Sequence, residues 1–189
     1  MSISLTRRGM LTAVLSTTSV CLFAGKAKSA AASDTVVIYF SRTGTTANLA
    51  RKIAAYTKAD CIELKLQKPY AKAYSDMTDI ARNERRSGAR REIATVIADL
   101  SGYKNVFIGS PYWWGGISIP MRTFLSDHPL AGKRVMPFVV SASSSPEGAW
   151  ADIGSICQEA VIEEGFHVTE SNAERADEKL NKWLVRLGY

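Results

Sequence analysis

The chain has little of the chemistry that most often betrays a function: 2 His, 3 Cys and 6 Pro in 189 residues. His128 and His167 lie far apart, and no Cys–His or carboxylate cluster stands at metal-ligand spacing, so no metal site is expected and neither histidine makes a strong catalytic base. Cys21 falls in the N-terminal segment, leaving Cys61 and Cys157 in the remainder. Cys157 belongs to the apolar series Ile153, Ile156, Cys157, Ala160, Val161 and is expected as a buried, unpaired thiol rather than half of a bridge. There is no G-x-x-x-x-G-K-[ST] and no G-x-G-x-x-G, which argues against a nucleotide P-loop or a Rossmann dinucleotide turn. No internal repeat or low-complexity linker interrupts the chain.

Acidic residues are missing altogether from residues 1–33, which carry Arg7, Arg8, Lys26 and Lys28. The formal charge of +6 is therefore concentrated at one end, and without that segment the balance is 20 basic to 18 acidic residues. A nucleic-acid footprint is a poor explanation of such a distribution. The segment reads instead as a cleavable export signal: a cationic start, a mild apolar stretch from Met10 to Ala24, and small residues from Ser29 to Ser33 suited to cleavage. Thr6-Arg7-Arg8-Gly9-Met10-Leu11 is similar to a twin-arginine signal, which implies a periplasmic or otherwise exported product. An uncleaved hydrophobic anchor is the alternative, but the stretch is short for a membrane span, and no stable span is expected after cleavage.

Residues 34–189 hold enough apolar material for one domain. Short apolar runs at Val36–Phe40, Ile62–Leu66, Val106–Ile108, Val135–Val140 and Phe166–Val168 alternate with segments of helical period. Runs apolar at every position suit strands covered on both faces. The intervening helix faces are Leu49/Ile53, Met121/Phe124/Leu125 after Pro120, the Ile153–Val161 stripe, and Ala176/Leu180/Trp183/Leu184/Leu187. Ser171 and Glu174 suggest a capping box for the last. A polar, Arg-rich helix is expected around Tyr74 to Arg86. The order predicts an α/β, doubly wound parallel sheet with helices on both faces. Pro137 cannot donate a sheet hydrogen bond, so the neighbour on one side of its strand should be short or absent there.

Three loops follow strands at the carboxyl edge of that sheet, where open parallel sheets bind ligands. The first is Ser41-Arg42-Thr43-Gly44-Thr45-Thr46: a glycine for a tight turn, hydroxyl donors, and a helix N-terminus, which together make a phosphate site. A hydroxyl-rich capped turn without a ligand fits this loop alone equally well. The second is Pro111-Tyr112-Trp113-Trp114-Gly115, whose consecutive aromatics cannot all point into the core; a stacked planar ring would supply the missing burial. The third is Ser141-Ala142-Ser143-Ser144-Ser145-Pro146-Glu147-Gly148, with Trp150 placed to close over a ring. Arg82, Arg85, Arg86, Arg90 and Arg91 form a basic cluster, read as a solvated face or as a dock for an acidic redox partner.

On these residues the chain resembles the flavodoxin family. Ser41-x-Thr43-Gly44-x-Thr46 resembles that family's phosphate loop, and Pro69-Tyr70, Glu84, Ser87-Gly88-Ala89-Arg90, Pro111-Tyr112-Trp113-Trp114-Gly115, Gly132-Lys133 and Pro137-Phe138 resemble a bacterial flavodoxin-like subgroup. The resemblance implies a five-stranded sheet of order 2-1-3-4-5 and non-covalent FMN. Its phosphate would be held by Ser41, Arg42, Thr43, Gly44, Thr45 and Thr46, and its ring would lie between Pro111, Tyr112, Trp113, Trp114, Gly115 and the loop of Ser141, Ala142, Ser143 and Gly148. Ser143 and Ser144 stand where the family often has glycine, and Arg91 where a proline is frequent. The implied function is electron transfer with an unidentified partner protein or small acceptor. The alternatives are an FMN-dependent NAD(P)H:quinone-type reductase and an FMN-free binding module of the same fold.

Overall fold

A computed structural model describes residues 33–97 and 99–189. The expected export segment, Ser33 apart, lies outside the described residues, as does Cys21. The first apolar run becomes β1 (Thr35–Tyr39), buried at every position. It is followed by α1 (Thr45–Thr57), β2 (Asp60–Glu63), α2 (Tyr74–Ser87), β3 (Asn105–Trp113), β4 (Gly116–Ile117), α3 (Ile119–Asp127), β5 (Arg134–Ser141), α4 (Glu147–Ile156), β6 (Val161–Ile162), β7 (Phe166–Thr169), a 3-10 segment Glu170–Arg175, and α5 (Asp177–Arg186).

The strands order as β2-β1-β3-β5, all parallel, and β6 and β7 in turn occupy the far edge of β5. This is the expected 2-1-3-4-5 sheet with its fifth strand delivered in two pieces. Pro137 explains the break. Lys133 and Val135 carbonyls accept from the N–H groups of Val161 and Glu163, so alternate residues of β5 point toward this edge, and Pro137 is the next in the series. It has no N–H to offer. Pairing resumes only at Phe138 opposite Phe166, and Met136 and Pro137 face the gap between the pieces.

Side chains alternate across the sheet into two apolar layers. Val37, Tyr39, Phe107, Met136 and Phe138 pack with Leu49 and Ile53 of α1 and with Leu180, Trp183 and Leu184 of α5. Val36, Ile38, Val106, Ile108, Val135 and Val139 pack with Met121 and Phe124 of α3 and Ile153 of α4. Both faces are covered, which is why the strands need apolar residues at every position. Among the described residues, no helix is long and apolar enough to cross a membrane.

Four boundaries differ from expectation. The aromatic run belongs to β3, which continues to Trp113 because β4 folds back and pairs with it. The second strand starts earlier and ends at Glu63, while Leu66 makes an isolated antiparallel bridge to Ile93. The helix expected to reach Val161 stops at Ile156, and Val161 is 61% exposed in β6. Ser171 and Glu174 cap no helix: they fall inside the 3-10 segment, and α5 begins after Ala176 without a side-chain cap. Cys157 is buried and unpaired, and burial pushes its thiol up to about 11; Cys61 is exposed and unpaired.

Candidate functional site

The reversal of strand order at β1 leaves a crevice beyond the carboxyl ends of β1 and β3. The loop after β1 turns at Gly44, whose φ of 98° is a conformation that side-chain-bearing residues rarely adopt. Gly44 N–H donates to Ser41 Oγ at 3.1 Å, closing the turn. The first helical bond of α1 runs from Asn48 N–H to the Gly44 carbonyl at 2.8 Å, and no side chain caps the helix. The N–H groups of Thr45, Thr46 and Ala47 therefore precede the ladder at the positive end of the helix dipole. Thr46 is buried, at 3% exposure, while Thr43 and Thr45 hold their hydroxyls on the Glu170 carboxylate at 3.2 and 3.4 Å. Arg42 points elsewhere: its guanidinium donates to the Lys72 carbonyl at 2.8 Å and lies 5.9 Å from the Tyr74 ring.

The aromatic segment is a hairpin. Tyr112 pairs with Ile117 and Trp113 with Gly116, leaving Trp114 and Gly115 as a two-residue turn with φ of 50° and 88°. Positive φ at both positions is the requirement of a type I′ turn, and a bulky residue at the first of them is strained. Trp114 is held there by α2: its Nε1–H donates to the Thr78 carbonyl at 2.8 Å, and the Arg82 guanidinium stacks 4.0 Å from its ring centroid. Trp113 packs edge-on against Phe40 and Tyr70, with centroids 5.7 and 5.2 Å away.

Behind the hairpin sits an ion cluster that sequence reasoning missed. Asp152 of α4, its side chain 12% exposed, accepts from Arg85 Nη1 at 2.8 Å, from Arg122 Nη1 at 2.6 Å and from the Ile117 N–H at 3.1 Å. Arg85 also donates to the Gly115 carbonyl at 3.1 Å. A Cβ on Gly116 would lie 1.9 Å from Asp152 Oδ2, so a side chain there would displace the Asp152–Arg85 pair. The basic cluster is accordingly mostly spent inside the molecule: Arg85 on Asp152, Arg90 on Asp127, Arg91 on Glu84, and Arg82 on Trp114. Arg91 also lies 3.8 Å from the Tyr70 ring. Burial, and then the hydrogen bond to Glu84, raise the Tyr70 hydroxyl above the usual tyrosine range.

In the third loop, Ser141 Oγ donates to the Ser144 carbonyl at 2.6 Å and lies 2.9 Å from His167 Nε2. With its one proton committed, Ser141 accepts from His167 Nε2–H. Burial and then Lys179 hold the His167 pKa below 6.5. Ser143 and Ser144 have no positive φ, so this loop path does not demand glycine. Gly148 does: a Cβ on it would meet the Gly115 carbonyl at 2.0 Å, so two loops touch here. Trp150 packs against Gly165, not over the cleft.

One cleft gathers parts of all three loops. Arg42, Thr43, Thr45, Thr46, Pro111, Tyr112, Trp113, Ser141 and Ala142 line it. Of the other expected site residues, Ser41 and Gly44 shape the turn, Gly115 and Gly148 form the loop–loop contact, Trp114 faces α2, and Ser143 is exposed outside the lining. The structure adds Tyr74 and Met77 of α2, Val140 of β5, and Glu170. Met77 was legible as the buried face of an amphipathic helix, but nothing local to Tyr74 or Glu170 connects them to loops so distant in sequence. Among the described residues, no group of His, Cys, Asp and Glu is arranged to hold a metal ion.

A family model described as flavodoxin matches residues 34–187. The chain belongs to the flavodoxin family. Among solved structures, a Bacteroides uniformis protein assigned as a flavoprotein is 27% identical, with a TM-score of 0.71, covering 81% of this chain and 98% of that one. A Bacteroides eggerthii protein with the same assignment is also 27% identical with a TM-score of 0.71, covering 82% and 98%. A Lactobacillus acidophilus flavoprotein in complex with FMN shares the fold at 22% identity and a TM-score of 0.62, covering 75% and 96%. No curated protein matches.

Proposed function

We propose that this flavodoxin-family chain binds FMN non-covalently in the cleft and serves as an exported electron carrier. The observation that carries the reading is the convergence of the hydroxyl loop, the aromatic hairpin and the Ser141 loop on one cleft. The donor set suits the group: three N–H groups at the start of α1 and the hydroxyls of Thr43, Thr45 and Thr46 suit a phosphate, and Tyr112 and Trp113 suit a planar ring. The L. acidophilus flavoprotein, of the same fold, is known in complex with FMN.

When bound, FMN supplies the redox chemistry, accepting and returning electrons. The protein's part is to bind, orient and shield. The α1 N-terminus and the loop hydroxyls hold the phosphate end, Tyr112 and Trp113 exclude water from the ring, and Ser141 and Ala142 line the same space. Arg42 and Glu170 are the charged residues lining the cleft, one of each sign. No side chain needs to act as an acid or base. Arg7-Arg8 supports a twin-arginine route, which carries folded proteins and so allows export with the cofactor in place.

A visible spectrum of the purified chain tests the cofactor: the expected result is a yellow protein, or a colourless one that takes up added FMN. Failure to take up FMN rejects the reading. Anaerobic addition of NADPH separates the two redox roles, since a carrier stays oxidised without a partner reductase and a reductase is bleached. For export, residues 1–33 fused to a reporter should lose translocation when Arg7 and Arg8 become Lys; unaffected export excludes this route.

A further inference from the structure

The Glu170 carboxylate occupies the hydroxyl donors that the FMN reading assigns to phosphate. One oxygen, Oε1, accepts from both Thr43 Oγ1 and Thr45 Oγ1. A hydroxyl has a single proton to donate, so neither can serve Glu170 and a phosphate oxygen together. The position is built into the fold. Glu170 directly follows β7, whose last residue Thr169 is in register with Ser141, and it opens the 3-10 segment anchored by buried Ala173. The side chain is exposed. Among the described residues Glu170 makes no ion pair, and Arg42, the cation lining the same cleft, directs its guanidinium to the Lys72 carbonyl rather than to Glu170.

We propose that Glu170 is a specificity-determining residue of the cleft, lowering its preference for a phosphorylated flavin over the unphosphorylated one. The inference rests on the FMN reading. An arriving phosphate must displace the carboxylate from Thr43 and Thr45 and then share the loop with a like charge, whereas riboflavin leaves the carboxylate where it is. Like charges a few ångströms apart at a solvent-exposed site weaken binding by a factor on the order of ten.

The test is a fluorescence titration of the flavin-free full chain with FMN and with riboflavin, for the wild type, Glu170→Gln and Glu170→Ala. Glu170→Gln keeps the shape and removes the charge. The expected result is about tenfold tighter FMN binding in both variants, less than twofold change for riboflavin, and a smaller FMN gain at high salt. An unchanged FMN-to-riboflavin ratio overturns the role of Glu170 and leaves the flavin site standing. Weaker FMN binding in both variants also overturns it, and makes Glu170 a brace for the loop. If no form binds either flavin, the FMN reading falls and the inference falls with it. Thermal melting of each variant confirms that the exposed substitution leaves the fold intact.

Discussion

The hydroxyl loop and the aromatic hairpin contribute to the same cleft, but different forces hold them. The hairpin is braced from behind by charged side chains: Asp152 gathers Arg85, Arg122 and a backbone N–H, and Arg82 with Thr78 pins the strained Trp114. The hydroxyl loop is shaped locally, by Gly44, by the Ser41 hydroxyl that accepts its N–H and by the start of α1, and the Thr43 and Thr45 hydroxyls reach out to Glu170. In the proposed FMN site the hairpin would be the ring wall, and its supports belong to the fold. The loop hydroxyls would be phosphate donors, and with only Glu170 as partner they contribute little to stability.

That contrast is broken most directly at Asp152. Asp152→Ala leaves two partly exposed arginines and the Ile117 N–H without their partner and should cost about 2–3 kcal/mol of stability, measured by urea denaturation; a loss under 1 kcal/mol would show that the hairpin is held by other means. The double substitution Thr43→Ala, Thr45→Ala is the counterpart. Stability should stay within about 0.5 kcal/mol, while FMN affinity falls by roughly 1.5–3 kcal/mol for each hydrogen bond lost to a charged group. A calorimetric titration alongside a melt reads both, and an unfolding effect with unchanged affinity would invert the contrast.

Smaller effects sharpen it. Arg82→Ala removes the guanidinium from the Trp114 face and should cost about 0.5–1 kcal/mol, with a rise in Trp114 mobility seen by fluorescence anisotropy. The smallest expected effect lies in the third loop. Burial and Lys179 depress the His167 pKa, while Glu147 pulls it upward less strongly. The unfolded chain therefore binds the proton more readily than the folded one, and the contribution of His167 is present above pH 6.5 and lost as the pH falls below it. Comparing the pH dependence of stability for the wild type and His167→Gln should show a shallower decline below pH 6.5 in the variant. Parallel curves would remove His167 from the account.

Much of the fold was legible because its signals are local. Val36–Phe40 and Val135–Val140 are apolar at each position, as strands covered on both faces require, and Pro137 announced a broken neighbour that the split between β6 and β7 then supplied. The site was legible in outline through Gly44 and the consecutive aromatics. The division of labour among Tyr112, Trp113 and Trp114 was not, because it depends on β4 folding back to form a hairpin. Ser171 and Glu174 show the opposite failure: the spacing of a capping box was present, but the chain there turns into a 3-10 segment.

Residue chemistry and periodicity alone dictate the alternation of strands and helices, the tight turn at Gly44 and the presence of hydroxyls and aromatics at one sheet edge, since each is settled within a few residues. The pairing of Arg85 and Arg122 with Asp152, the touching of Gly148 and Gly115, and the arrival of Glu170 at Thr43 and Thr45 come only with the assembled sheet. Charges and hydroxyls carry no mark of their partners; crossovers and strand register bring them together, and distance then decides which of them interact.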